Sequence, residues 1–169
     1  MTETAPPNTV LTFPTPASAG AAPKPASSVE KIWGKAVCGH GYAGIPSVLI
    51  QGQRRLGINT TQFNIIVQLL DYWREPSRKP FPTKRDLAQR IGVTEKTIQN
   101  NIRDLETAGL IRREQRKTAA GDWNSNLYHL DGLVQRVKAL EPDFAAEKAA
   151  KKAARTARET PAGLRKAST

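Results

Sequence analysis

The residues best equipped for chemistry lie between Thr94 and Ala108, "TEKTIQNNIRDLETA". At the roughly 100° per residue of an α-helix, Ile98, Ile102 and Leu105 fall in one narrow sector. Lys96, Thr97, Asn100, Arg103 and Thr107 fall in the opposite one, with Gln99 and Asn101 on its flanks. Asn and Gln side chains can make paired hydrogen bonds with an adenine edge, Arg with guanine, and Thr can meet a phosphate or a thymine methyl. A merely solvated helix face usually draws on Glu and Lys, which favour helix and solubility. Here the early outward positions carry Gln, Asn, Asn and Thr, mediocre helix formers with good hydrogen-bonding reach. The plain alternative is a helix packed on another protein, its polar residues incidental.

Such a face needs elements that hold it out. Upstream, Thr83 with Asp86 is set to start a helix over "KRDLAQRI", whose Leu87, Ala88 and Ile91 face inward. Gly92-Val93 breaks it, Thr94 caps the next helix, and Gly109 stands where a left-handed C-terminal cap is expected. Two short helices joined by a tight turn form a helix-turn-helix, whose second helix is the usual groove reader. After Gly109, "LIRREQR" and "NLYHL" read as two short strands joined by "KTAAGDWNS", a hairpin with a loop of medium length.

Before this unit, "GINTTQFNIIVQLLDYWREP" reads as a helix. Asn59 and Gln62 form a capping box, and the apolar face comprises Phe63, Ile66, Val67, Leu70 and Tyr72 or Trp73. Pro46 is placed in the first turn of a short helix running to about Arg54. From Val29 to Ile45, glycines at 34, 39, 41 and 44 favour extended or looped backbone packed by Trp33, Val37 and Tyr42. Residues 1–28, rich in Pro, Ala, Thr and Ser, bury too little to offset their ordering entropy and read as a disordered arm. "GLVQRVKAL" reads as one more short helix stopped before Pro142. The following Lys- and Arg-rich, alanine-rich stretch reads as a solvated, fraying helix to about Arg158, followed by a disordered end.

The 169 residues carry a formal net charge of +11, which favours a polyanionic partner. Residues 46–131 hold 14 Lys and Arg against 9 Asp and Glu, and residues 132–169 hold 9 against 4, so the tail is as basic as the much longer domain. That tail is either a solubility device or a second phosphate-binding arm. Cys38 is the sole cysteine, which suits a reducing compartment, and Cys38, His40 and His129 make no metal-ligand set. No secretory signal, membrane span, phosphate-cradling Gly-Lys-Ser/Thr loop or nucleophile elbow is legible, so the expectation is a cytoplasmic, nucleoid-associated protein, not an enzyme, without cofactor or metal.

"FPTKRDLAQRIGVTEKTIQNNIRDLETAGLIRRE" followed by "NLYHLDGL" resembles the bacterial winged helix-turn-helix domain of plasmid and phage replication proteins and small transcriptional regulators. Thr83, Leu87, Ala88, Gly92, Val93, Thr97, Ile98, Ile102, Leu105, Glu106, Gly109, Leu110, Ile111 and Arg113 carry the likeness, which extends over about Gly44 to Leu133. The resemblance implies a mainly α fold with a small β-hairpin: a three-helix core with a wing beside the recognition helix. Helix 95–108 would enter the major groove, with Thr94, Lys96, Thr97, Gln99, Asn100 and Arg103 at the bases. The wing, 111–130, would lie on the backbone or minor groove, with Arg112, Arg113, Arg116 and Lys117 meeting phosphates or the minor groove, and Thr83 and Lys84 would meet the backbone beside it. Trp123 departs from the small polar residues common in such wings.

The expected organisation is therefore an arm, 1–28, a winged helix-turn-helix domain with an N-terminal extension, 29–140, and a basic tail, 141–169. The expected function is sequence-specific binding of double-stranded DNA by a bacterial, phage or plasmid transcriptional regulator, as a homodimer that doubles a short half-site. Origin binding in plasmid or phage replication or maintenance is the first alternative. A protein-interaction winged helix is the second, with further partners engaged through the arm or the tail.

Overall fold

A computed structural model describes residues 27–116 and 125–159, which fall into two compact units divided after Gly41. In the first unit, α1 (Ser28–Trp33) and α2 (Lys35–Gly39) replace the expected loop. Ser27 and Glu30 form a reciprocal capping box that satisfies the first turn's free N–H groups. Gly34 takes φ +81° between the helices and Gly39 ends α2, so these glycines punctuate helices rather than prevent them. Trp33, Val37 and Tyr42 do not pack this segment, being 65%, 56% and 62% exposed.

The second unit begins with α3 (Ser47–Gln51) and α4 (Gln53–Leu56), two short helices where one was expected. Gly52 separates them because the chain is crowded there: a Cβ would lie 2.6 Å from the Val48 carbonyl and 3.1 Å from Leu140. The next helix, α5 (Thr60–Tyr72), starts on the expected Asn59–Gln62 capping box. Its buried residues are Gln62, Ile65, Ile66 and Leu69, whereas Phe63, Val67, Leu70, Tyr72 and Trp73 are only partly covered. The expected stripe was thus rotated, since α5 is covered from two sides. It packs on the following two helices, and Leu70 meets α3 and α8 residues around an open groove.

Helix α6 (Lys84–Ile91) starts on the Thr83–Asp86 box and stops at Gly92, φ +77°. Helix α7 (Glu95–Thr107) starts on Thr94 and ends with Gly109 at φ +67°. There the Gly109 N–H donates to the Glu106 carbonyl and the Leu110 N–H to Leu105, the paired bonds of a Schellman cap. Strands β1 (Arg112–Glu114) and β2 (Leu127–His129) pair antiparallel, Arg113 opposite Tyr128. The Tyr128 N–H donates to the Pro80 carbonyl at 2.9 Å, fixing the hairpin to the linker before α6.

Leu49, Ile58, Ile65, Ile66, Leu69, Leu87, Ile98, Ile102, Leu105, Leu110, Tyr128, Leu130 and Leu133 form one buried core. Burial pushes the Tyr128 phenol above its ordinary value, with the Asn126 side chain offsetting part of that.

The last helix, α8, is a single helix over Asp131–Glu159, with Pro142 inside it rather than after it. A helix-interior proline normally costs about 3 kcal/mol. Here side chains on both sides of Pro142 are anchored. Leu140 lies against Gly52, the Arg55 guanidinium sits 4.8 Å over the Phe144 ring, and Arg55 pairs with Glu147 and, at 3.9 Å, with Asp143. Pairing with Glu147 raises the Arg55 pKa and lowers that of Glu147. Residues 1–26 and 160–169 lie outside the described residues, so most of the expected arm and the tail's end go without structural account. Among the described residues, no helix is long and apolar enough to cross a membrane.

Candidate nucleic-acid interface

The inner face of α7 is closed: Ile98 and Ile102 are fully buried, Leu105 is 1% exposed, and all three pack into the core with α5 and α6. This leaves the opposite sector as the helix's only outlet. Lys96, Asn100 and Arg103 are exposed and Gln99 is half-buried. Among the described residues, none of these four side chains has a hydrogen bond or ion pair, so each is free to engage a partner without first breaking a bond.

Other site residues act locally. The Thr94 hydroxyl accepts the Thr97 N–H at 3.1 Å, and the two hydroxyls lie 2.9 Å apart. Asn101 donates to the Thr97 carbonyl at 2.9 Å, and its Oδ1 accepts from Asn59, the cap of α5, at 3.3 Å. Asn101 therefore fixes α7 against the start of α5, while Asn100 points out. The Thr83 hydroxyl donates to Asp86 Oδ2 at 2.7 Å, and the Thr83 N–H to the same oxygen at 3.2 Å. These two bonds hold the Asp86 carboxyl below its ordinary value, and they commit Thr83 to capping α6. Lys84 follows, half-buried, in the first turn.

In the hairpin, Arg112 and Arg116 are exposed, as expected of phosphate contacts. Arg113, expected at the phosphates with them, also pairs within the fold: Glu106 of α7 takes its guanidinium at 3.2 Å and its backbone N–H at 3.1 Å. Lys117 and Trp123 lie outside the described residues. His129 meets Glu114 at 2.8 Å and Asp131 at 3.9 Å across the base of the hairpin. The family model of a helix-turn-helix domain matches residues 56–111, from the end of α4 to the threshold of β1.

Helices α6 and α7, joined at Gly92, are the helix-turn-helix of that match.

With the β1–β2 hairpin beside α7, the fold is a winged helix-turn-helix. A search of the curated proteins returns no match. Among solved structures, the chain is similar to a possible transcriptional regulator from Methanosarcina mazei Go1, with 15% identity, 62% of this chain and 82% of that one covered, and a TM-score of 0.41. It is also similar to the transcriptional regulator PA3341, with 23% identity, 60% and 72% covered, and a TM-score of 0.37. The positioning roles of Glu106 and Asn101 escaped sequence reasoning. Asn101 sits one turn after Thr97, a spacing that allows its side chain to bond back to the backbone. Glu106 reaches Arg113 only through the turn at Gly109, for which no spacing rule exists.

Proposed function

We propose that this helix-turn-helix domain binds double-stranded DNA sequence-specifically as a transcriptional regulator, without catalysis, in a bacterial cytoplasm. Helix α7 enters the major groove and presents Lys96, Gln99, Asn100 and Arg103 to base edges, while Thr94 and Thr97 reach the backbone or a thymine methyl. Lys84, Arg112 and Arg116 take phosphates. The observation that carries this reading is the contrast across α7: one face sealed into the core, the other exposed with three polar or cationic side chains that have no partner among the described residues.

One such helix covers few base pairs, so a homodimer supplies the rest of the site. An open apolar groove of about 290 Å³ between α3, α5 and α8, lined by Pro46, Val48, Leu49, Leu70, Leu133 and Val137, supports that assembly. Selection of bound duplexes from a random pool tests both parts. A short enriched motif repeated in two half-sites is expected; a pool with no enriched motif removes sequence-specific reading, and a single unrepeated motif removes the dimer.

A further inference from the structure

Helix α8 changes character along one face. On an ideal helical wheel its body-facing residues, Leu133, Val134, Val137, Leu140, Glu141 and Phe144, span an arc of about 120°. Five cations of the distal half, Lys148, Lys151, Lys152, Arg155 and Arg158, fall in the same arc. The face that docks on α3 and α4 thus continues past them as a basic stripe. All five residues are exposed. The acidic neighbours are already occupied, Glu147 by Arg55 and Glu159 by Arg155 at 2.7 Å. Lys148, Lys151, Lys152 and Arg158 make no ion pair within 4 Å among the described residues, and Lys151 only adds to the positive field at the already paired Glu147. Where α8 leaves the body, Lys148 and Lys152 line a concavity of about 480 Å³ with Val48, Glu141, Phe144 and Ala149.

We infer that this stripe is a second nucleic-acid surface, gripping the phosphate backbone of duplex outside the bases read by α7. The inference rests on the DNA-binding reading of α7 and adds a partner for the tail. Because Pro142 lies within one continuous helix, the stripe is presented along a single helix that runs on from the part docked on the body. From Lys148 to Arg158 it extends about 15 Å, an axial length over which one DNA strand carries about four phosphates. A lipid surface is a poor match, since the opposite arc holds Ala146, Ala150, Ala153 and Ala157 and no large apolar group to insert.

The test replaces Lys148, Lys151, Lys152 and Arg158 by Gln in the full chain, with circular dichroism to confirm retained helix. Binding is then titrated against salt on a duplex carrying the selected site and on a random duplex. The expected result is an affinity loss by the same factor on both, with a log K against log salt slope shallower by about three to four. An unchanged slope beside tight specific binding would overturn the inference alone. A wild-type chain that binds neither duplex would overturn the reading of α7 together with it. An unchanged slope with lost binding to polyglutamate would assign the stripe to an acidic protein, again overturning the inference.

Discussion

Glu106 holds Arg113 at two points, its Oε1 accepting the backbone N–H at 3.1 Å and its Oε2 lying 3.2 Å from the guanidinium. One carboxylate at the end of α7 thereby sets where the first strand of the wing begins. Both side chains are about three-quarters covered, so solvent screens the pair less than it would an exposed one. This pair and the Tyr128 bond to Pro80 tie the wing to α7 and to the linker before α6.

Glu106→Ala should accordingly lower stability by on the order of 1–2 kcal/mol, because it also leaves a half-buried arginine unpaired. Glu106→Gln, which can still accept the Arg113 N–H, should lose less. Urea unfolding of the three proteins measures this; equal midpoints would show that the wing is held elsewhere.

The start of α8 is pressed against the cap of α7. A Cβ at Gly132 would lie 2.0 Å from the Gly109 carbonyl oxygen, and the Leu133 N–H donates to Leu110 at 2.7 Å. Gly132→Ala should cost about 1–3 kcal/mol or more, since backbone rather than a flexible side chain must move. Gly44→Ala, with nothing within 4 Å of its added Cβ, should be near neutral. Thermal melts compare the two; a neutral Gly132→Ala would contradict the close approach.

Much of the domain was legible because its signals are local. The boxes at Asn59 and Thr83, the cap at Thr94, the glycines at 92 and 109, and the inward triad of α7 each depend on residues within seven positions of one another. What was misread depends on distant partners. Pro142 stays helical because Arg55 and Gly52, some ninety residues away in sequence, anchor the turns around it. The inward face of α5 is set by neighbours on two sides, which one stripe cannot encode. The hold of Glu106 on Arg113 is equally illegible, because the Schellman turn that brings the two together has no signature beyond Gly109. The outward face of α7 could be read, since its division follows from helical periodicity alone.

Acid should act on α6 through its cap. Thr83 lowers the Asp86 pKa, so the bonds are intact above the ordinary carboxylate value of roughly 4 and are lost as pH falls through the lower folded value. NMR titration of the Asp86 carboxyl should therefore give a midpoint below that of a free aspartate. Thr83→Val should return it towards the ordinary value. An unshifted Asp86 in the wild-type protein would show that the cap does not form.

The central claim is that the outward face of α7 reads bases. Its most direct test is titration of wild type, Asn100→Ala and Arg103→Ala on the selected duplex and on a random one. Each substitution should cost about 1–3 kcal/mol on the selected duplex if the side chain contacts a base, and should narrow the gap between the two duplexes. Affinities for the selected duplex that match wild type in both variants would contradict the claim and place the function of this face with another partner.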